Sequence, residues 1–215
     1  MIPRRTALLA LLSTSVLLAC GAKAPPVAAV PAVPAGASVL ALGDSLTAGV
    51  GARTGEDWPS LLAEHTGWEV TNGGVSGDTS AQGLARLPAL LQEHAPRLVI
   101  VGLGGNDFLR RAAPGTTREA LAQIVRSIQA ANAQAVLVAI PQPSLMAAAG
   151  ATPSDHPLYQ ELAQELKVPL IANLWGPILG DASLRADQVH ANAQGYAAFA
   201  QALEQALRRQ GLLAH

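Results

Sequence analysis

The feature that most constrains the fold of this chain is a pair of continuous apolar runs, RLVIVGL at residues 97–103 and AVLVAI at residues 135–140. Neither run alternates with polar residues, so each is typical of a strand that is buried on both faces. Strands of this kind belong to parallel sheets that are covered by helices on both sides. Shorter strands are predicted at Ser38–Leu42, Glu69–Asn72 and Pro169–Ala172. The sequence therefore predicts a sheet of mainly five strands.

Helical spacing of apolar residues fills the intervals between these strands. The predicted helices are Trp58–His65, Thr79–His94, Thr117–Ala131, Leu158–Leu166 and Asn192–Arg209. Pro88 is expected to kink or restart the second helix, Thr116 or Thr117 to cap the third, and Asn192 to cap the last. Alternation of strand and helix implies right-handed crossover connections. The predicted fold class is therefore α/β, a three-layer α/β/α sandwich around a central, mainly five-stranded parallel sheet.

The first residues have the features of an export signal rather than of the fold. Two arginines precede an apolar stretch at residues 7–18, which ends in the sequence LLAC. Small residues before a lone cysteine resemble the lipobox of bacterial lipoproteins, in which the cysteine becomes the lipidated first residue. We expect a lipoprotein signal peptide at residues 1–19, a lipid on Cys20, and a location in the bacterial cell envelope, facing the periplasm. An ordinary signal peptide or an uncleaved anchor are the alternatives.

Residues 20–37 form a segment that is rich in alanine, proline and valine and has no amphipathic period. Such a composition predicts a polyproline-like linker with a reach of about 50 Å, at about 3.1 Å per residue. The linker would hold a soluble domain, expected at residues 38–215, away from the membrane that carries the lipid.

The charge of the chain is balanced, with 14 Lys and Arg residues against 15 Asp and Glu residues. Basic residues occur in no run longer than a pair, so the sequence lacks the electrostatic signature of nucleic-acid binding. Nothing in the pattern indicates an obligate protein partner, which leaves a small-molecule substrate and a membrane as the expected partners.

Polar residues follow the predicted strands at the points where the strands end. Ser45 follows the first strand, Gly77 lies in NGGVSGDTS after the second, and Asn106 lies in GGND after the third. Asp187 and His190 lie in ADQVHAN, the loop before the last helix. Active sites of parallel α/β folds lie outside the carboxyl ends of the strands. We therefore expect these residues to meet at one edge of the sheet.

The residue types at that edge match the requirements of acyl transfer. The reaction needs a nucleophile, a base, a group that orients the base, and donors for an oxyanion. Ser45 supplies a hydroxyl, His190 a base, and Asp187 a carboxylate for the other ring nitrogen. The backbone N–H groups of Ser45 and Gly77 and the side-chain amide of Asn106 are candidate oxyanion donors.

The blocks GDSL, SGDTS, GGND and DQVH together resemble those of the GDSL, or SGNH, hydrolases. The similarity extends over residues 39–207 and is greatest to the bacterial branch of thioesterase I/protease I/lysophospholipase enzymes and arylesterases. It implies a serine esterase that hydrolyses carboxylic acyl esters without a metal or organic cofactor. The segment at residues 141–160 departs from that branch, and Ala191 follows the histidine where family members often have proline or leucine.

By this resemblance Ser45, Asp187 and His190 form the catalytic triad, and Ser45, Gly77 and Asn106 form the oxyanion hole. Two other functions remain open on the same fold. One is a carbohydrate O-acetylesterase, and the other is a non-catalytic, lipid-anchored binding module.

Other polar residues near these blocks have competing interpretations. Asp44, Asp78 and Asp107 are expected to be helix caps or loop braces, although two of them could be read as the acid and base of a glycosidase. His156 is a rival base, but its carboxylate neighbour Asp155 is adjacent in sequence and so is poorly placed to orient it. Packing is the expected role of the tryptophans, Trp58, Trp68 and Trp175, although Trp175 could line a pocket.

Overall fold

The computed structural model of the protein describes residues 31–142 and 151–213. Five strands form one parallel sheet: β1 (Ser38–Gly43), β2 (Glu69–Gly74), β3 (Leu98–Gly102), β4 (Gln134–Val138) and β5 (Leu170–Ile171). Their order across the sheet is β2-β1-β3-β4-β5. The predicted α/β fold with a five-stranded parallel sheet is confirmed. The predicted signal peptide, Cys20 and the first part of the linker lie outside the described residues.

The helices form a layer on each face of the sheet. They are α1 (Ser45–Ala48), α2 (Trp58–Thr66), α3 (Ser80–His94), α4 (Gly105–Leu109), α5 (Pro114–Ala130), α6 (Leu158–Leu166), α7 (Trp175–Gly180) and α8 (Ala193–Arg209). Helix α5 packs between α3 and α6, and α8 packs against α2 and α7. Within the described residues, no helix is long and apolar enough to span a bilayer.

The central strands bring three loops to the same level. Gly43, the last residue of β1, lies beside Gly74 of β2 and Gly102 of β3. Every residue of β3 is buried, because helices cover both of its faces. The chain therefore leaves β1, β2 and β3 side by side, at the carboxyl edge of the sheet.

Two local features of the helices differ from the predictions. Helix α3 is one continuous helix that includes Pro88, so the predicted restart at this proline is wrong. Pro88 is exposed, so water can hydrate the carbonyl that loses its N–H partner. Helix α5 begins at Pro114 rather than at a threonine cap, because proline is well suited to the first helical turn. Thr117 instead donates its hydroxyl to Asp107 Oδ1 at 3.2 Å.

Aromatic packing fills the layer between the sheet and α8. Trp175 stacks on Phe199 with ring centroids 3.8 Å apart, and Trp58 contacts Phe199 at 5.5 Å. Such pairs contribute about 0.5–1.5 kcal/mol each beyond their buried area. Trp58, Trp68 and Trp175 are all buried, which confirms that they pack in the core.

Residues 31–37, which are predicted to belong to the linker, pack against the domain as an N-terminal strap. Val33 is only 1% exposed and accepts a hydrogen bond from the Trp68 indole N–H at 3.2 Å. The side chain of Gln134 donates to the Pro31 carbonyl at 2.8 Å. Gln134 opens β4 and Trp68 immediately precedes β2. The strap therefore lies along the amino edge of the sheet, opposite the edge that carries the predicted site.

Candidate active site

Ser45 is positioned by a tight turn between β1 and α1. Asp44 caps the helix, since its Oδ1 accepts the Leu46 N–H at 3.0 Å. Gly43 is required because a Cβ there would lie 1.9 Å from Thr47 Oγ1. The missing side chain lets α1 fold back against the strand and places the Ser45 hydroxyl at the carboxyl edge of the sheet.

A hydrogen-bonded chain joins Ser45 to two residues that lie far away in sequence. His190 Nε2 lies 3.0 Å from Ser45 Oγ, and His190 Nδ1 lies 2.7 Å from Asp187 Oδ2. The other carboxylate oxygen of Asp187 accepts the backbone N–H groups of Val189 and His190, each at 2.8 Å. One oxygen thus shapes the loop while the other orients the imidazole.

The ionisation of Asp187 determines which ring nitrogen of His190 carries a proton. Partial burial acts to raise the pKa of Asp187, but hydrogen bonds from the His190 ring and from the backbone N–H groups of Val189 and His190 outweigh it. The pKa therefore lies below its ordinary value, and the carboxylate is ionised at neutral pH. An ionised carboxylate only accepts hydrogen bonds, so Nδ1 carries the proton and the Nε2 lone pair faces the serine hydroxyl.

Asn106 reaches the same edge from α4. Its Nδ2 donates to the Asp78 carbonyl at 2.9 Å and lies 3.4 Å from Asp44 Oδ2. The turn into α4 depends on Gly104, which has a φ of 121° and whose added Cβ would lie 2.3 Å from the Tyr159 hydroxyl. The side-chain amide of Asn106 is thereby held between the loops that follow β1 and β2.

Gly77 supplies a left-handed turn after β2, with a φ of 84°. The Arg110 guanidinium donates to the Gly77 carbonyl at 2.9 Å and links this loop to the end of α4. No described residue accepts a hydrogen bond from the backbone N–H of Gly77 or of Ser45. Two free amide donors are therefore available at the edge that also holds Asn106.

The carboxylates beside the site brace its loops, as the sequence predicts. Asp78 Oδ2 accepts from Arg86 Nε at 2.7 Å, and the same guanidinium donates to the Gly43 carbonyl at 2.8 Å. Asp107 accepts the Ser80 N–H at 2.8 Å and the Ser80 hydroxyl at 2.6 Å. No sequence pattern indicates the role of Arg86, whose partner on β1 is 43 residues away.

His156, the rival base, is engaged by residues other than the serine. Its Nδ1 accepts the Leu158 N–H at 3.2 Å, and its ring stacks on Phe108 with centroids 4.5 Å apart. Burial lowers the pKa of His156. Asp155 is engaged elsewhere, since its Oδ2 accepts the backbone N–H of Asn173 at 2.6 Å. The imidazole that contacts Ser45 is that of His190.

The described residues contain no group of three or more His, Cys, Asp or Glu side chains that is placed to hold a metal ion. The arrangement offers instead a hydroxyl, an imidazole, a carboxylate and three amide donors at one edge of a parallel sheet.

This architecture is the α/β fold of the SGNH hydrolases. The GDSL-like Lipase/Acylhydrolase family model matches residues 41–198, and the chain belongs to that family. It is 44% identical over 138 residues to "Thioesterase 1/protease 1/lysophospholipase L1" of Escherichia coli, an alignment that covers 62% of this chain and 65% of that protein. The match thus spans just under two thirds of the length of this relative.

Solved structures repeat the fold over more of the chain. The crystal structure of TesA superposes with a TM-score of 0.72 at 31% identity, covering 80% of this chain and 99% of that one. The psychrotrophic esterase EstA of a Pseudoalteromonas species, inhibited by monoethylphosphonate, superposes with a TM-score of 0.70 at 27% identity. That superposition covers 80% of this chain and 97% of EstA.

Proposed function

We propose that the chain is a serine hydrolase of carboxylic esters, with Ser45 as nucleophile, His190 as general base and Asp187 as the group that orients the base. The observation that carries this proposal is the unbroken hydrogen-bonded chain from the Asp187 carboxylate through both ring nitrogens of His190 to the Ser45 hydroxyl. The names of the relatives support it, since they include a lysophospholipase, a thioesterase and an esterase.

The geometry fits a two-step reaction. His190 Nε2 takes the hydroxyl proton as Ser45 Oγ attacks the acyl carbonyl carbon, and the imidazolium that forms is stabilised by Asp187. The imidazolium then returns the proton to the departing alcohol, phenol or thiol. Water, activated by the same imidazole, cleaves the acyl-enzyme and releases the acid.

Three donors are available for the oxyanion that forms in each step. They are the unpartnered N–H groups of Ser45 and Gly77 and the side-chain amide of Asn106. One hydrogen of the Asn106 amide is held by the Asp78 carbonyl, and the other makes only a 3.4 Å contact with Asp44. A hydrogen bond to the oxyanion can replace this weak contact with Asp44, while the stronger hydrogen bond to the Asp78 carbonyl is kept. Donors of this kind are worth about 10²–10³ in turnover.

The test is hydrolysis of p-nitrophenyl esters by purified Ser45→Ala and His190→Ala variants. Both are expected to lose at least about 10³-fold in kcat, because the nucleophile or its base is removed. Ser127→Ala, in the last turn of α5 far from the carboxyl edge, is the matched control and is expected to retain wild-type turnover. Near-wild-type hydrolysis by Ser45→Ala would contradict the assignment of the nucleophile.

The acyl group is the next variable to test. A panel of esters with increasing acyl length and with alcohol, phenol and thiol leaving groups separates three activities. An O-acetylesterase of carbohydrates loses rate beyond short acyl groups, whereas a lysophospholipase or thioesterase accepts long ones. We propose the second behaviour, on the strength of the Escherichia coli relative's name.

We also propose that the protein is exported and carries a lipid on Cys20, facing the periplasm. This proposal rests on the LLAC sequence that follows the apolar stretch. Labelling of cells with radioactive palmitate is expected to mark the wild-type protein and not a Cys20→Ser variant. Equal labelling of both would refute the anchor.

A further inference from the structure

The exposed large apolar side chains of this protein cluster around the candidate site. Among residues 31–142 and 151–213 they form a set that we call the apolar rim: Val50, Val75, Leu109 and Val189, with 37%, 44%, 55% and 40% exposure. Each lies close in sequence to a site residue. Val50 follows Ser45 by five positions, Val75 precedes Gly77 by two, Leu109 follows Asn106 by three, and Val189 immediately precedes His190.

Backbone hydrogen bonds hold the rim beside the site. The Val50 N–H donates to the Ser45 carbonyl at 3.1 Å, and the Val75 N–H donates to the Gly43 carbonyl at 3.1 Å. Leu109 is the last residue of α4, the helix that carries Asn106. The rim residues are therefore held next to the site, and they belong to separate loops around it.

Single exposed aliphatic side chains are ordinary on protein surfaces and need no explanation. Here, however, all of those in the described residues lie near the carboxyl edge, on loops or at the end of the short helix α4, and none lies at the amino edge. A protein partner that covered the rim would also cover Ser45 and block turnover. The occupant compatible with turnover is one that itself delivers the ester.

Cationic side chains accompany the rim. Arg53, Arg110 and Arg111 are exposed on the same loops, and none of them forms an ion pair with a carboxylate of the described residues. The nearby carboxylates are engaged within the fold. Glu56 accepts the backbone N–H of Arg53 at 2.9 Å, and Asp187 holds the site loop. Arg110 also donates to the Gly77 carbonyl. Its remaining N–H groups, together with the guanidinium groups of Arg53 and Arg111, are available for anionic groups that approach together with an apolar surface.

We propose that the apolar rim docks on a lipid–water interface that presents the ester substrate, with Arg53, Arg110 and Arg111 contacting anionic head groups. The inference rests on the proposed ester hydrolysis for the nature of what is delivered. Docking itself is a property of the surface, and it is measured without turnover.

The single cysteine of the chain makes a direct test possible. The full-length protein with Cys20→Ser and Ser45→Ala is given one new cysteine, Leu109→Cys, and labelled with an environment-sensitive fluorophore. The matched control is Ala131→Cys, an exposed position just after α5 at the amino edge. Vesicles of phosphatidylcholine, with and without phosphatidylglycerol, are then titrated into each labelled protein.

The label at position 109 is expected to shift to shorter emission wavelength and to brighten, more strongly when phosphatidylglycerol is present, while the label at position 131 does not change. Adding Val75→Asp to the protein labelled at position 109 is expected to weaken vesicle binding about tenfold, because a partly inserted valine is replaced by a charge. Circular dichroism verifies that this variant is folded.

Three results would overturn the proposal. They are an unresponsive label at position 109, an equal response at both positions, and a response that phosphatidylglycerol does not alter. The second would assign vesicle binding to the N-terminal segment or to nonspecific adsorption. Hydrolysis of p-nitrophenyl esters is measured separately on the wild-type protein. No docking of the labelled protein together with hydrolysis by the wild type would leave the proposed function standing, whereas docking together with an inactive wild type would leave the docking surface standing and contradict the proposed function.

Discussion

Asp44 lies directly before the candidate nucleophile, and its burial makes a quantitative prediction about stability. The residue is 2% exposed, and burial raises its pKa from 3.8 to about 6, against smaller opposing effects of the Leu46 N–H and of His190. A rise of about two units corresponds to about 3 kcal/mol at 1.36 kcal/mol per unit. Because the pKa is raised, the ionised carboxylate is less favourable in the folded state than in the unfolded chain.

The sign of the pH dependence follows from that shift. The contribution of Asp44 to the free energy of unfolding is fully present below about pH 4 and is lost as pH rises through about 6. Asp44→Asn cannot ionise, yet it keeps an oxygen that can accept the Leu46 N–H. Relative to wild type, this variant is therefore expected to gain about 3 kcal/mol of stability between pH 4 and pH 8.

Urea unfolding of both proteins at a series of pH values measures this difference, and the contributions of all unchanged groups cancel. Asp181→Asn is the control, because hydrogen bonds from Ser183 lower the pKa of Asp181 and the pH trend has the opposite sign. A difference between wild type and Asp44→Asn that does not vary with pH would refute the argument that burial of Asp44 opposes its ionisation.

Three further predictions concern the site and the turn that carries it. Asn106→Ala is expected to lower kcat by about 10²–10³ with a smaller change in KM, because the variant lacks a proposed oxyanion donor; an unchanged kcat with a raised KM would contradict it. Asp187→Ala is expected to lower kcat less than Ser45→Ala does, since His190 remains a base, and steady-state kinetics on one ester compares them. Gly43→Ala is expected to cost about 1–3 kcal/mol in urea unfolding, because the new Cβ meets Thr47 Oγ1, and an unchanged midpoint would show that the turn can relax.

The sheet is predictable from the sequence because its central strands are apolar on both faces. The runs that end at Leu103 and Ile140 cannot be mistaken for half-exposed strands. In the structure β3 lies within the first run, and β4 begins one residue before the second, at Gln134. Helix α6 follows the predicted range of residues 158–166, since its apolar spacing is regular over the whole length. The predicted ends of the strands likewise place the polar residues that follow them at the carboxyl edge of the sheet.

The short helices could not be predicted from the sequence, because they are not stabilised by a repeating apolar pattern. Helices α1 and α4 have four and five residues. They depend on the Asp44 cap and on the conformation of Gly104, which single residues in a sequence do not reveal. The N-terminal strap was also missed, since its composition is that of a linker and its anchoring contacts join residues such as Pro31 and Gln134, 103 positions apart.

The strap also determines which side of the domain is connected to the chain upstream of residue 31. Because residues 31–37 run along the edge opposite Ser45, a tether that continues upstream pulls on the underside of the sheet. A copy held taut by such a tether would stand with its opening pointing away from its support. Its ester substrates would then come from the surrounding solution or from a facing membrane, rather than from the support that holds its amino end.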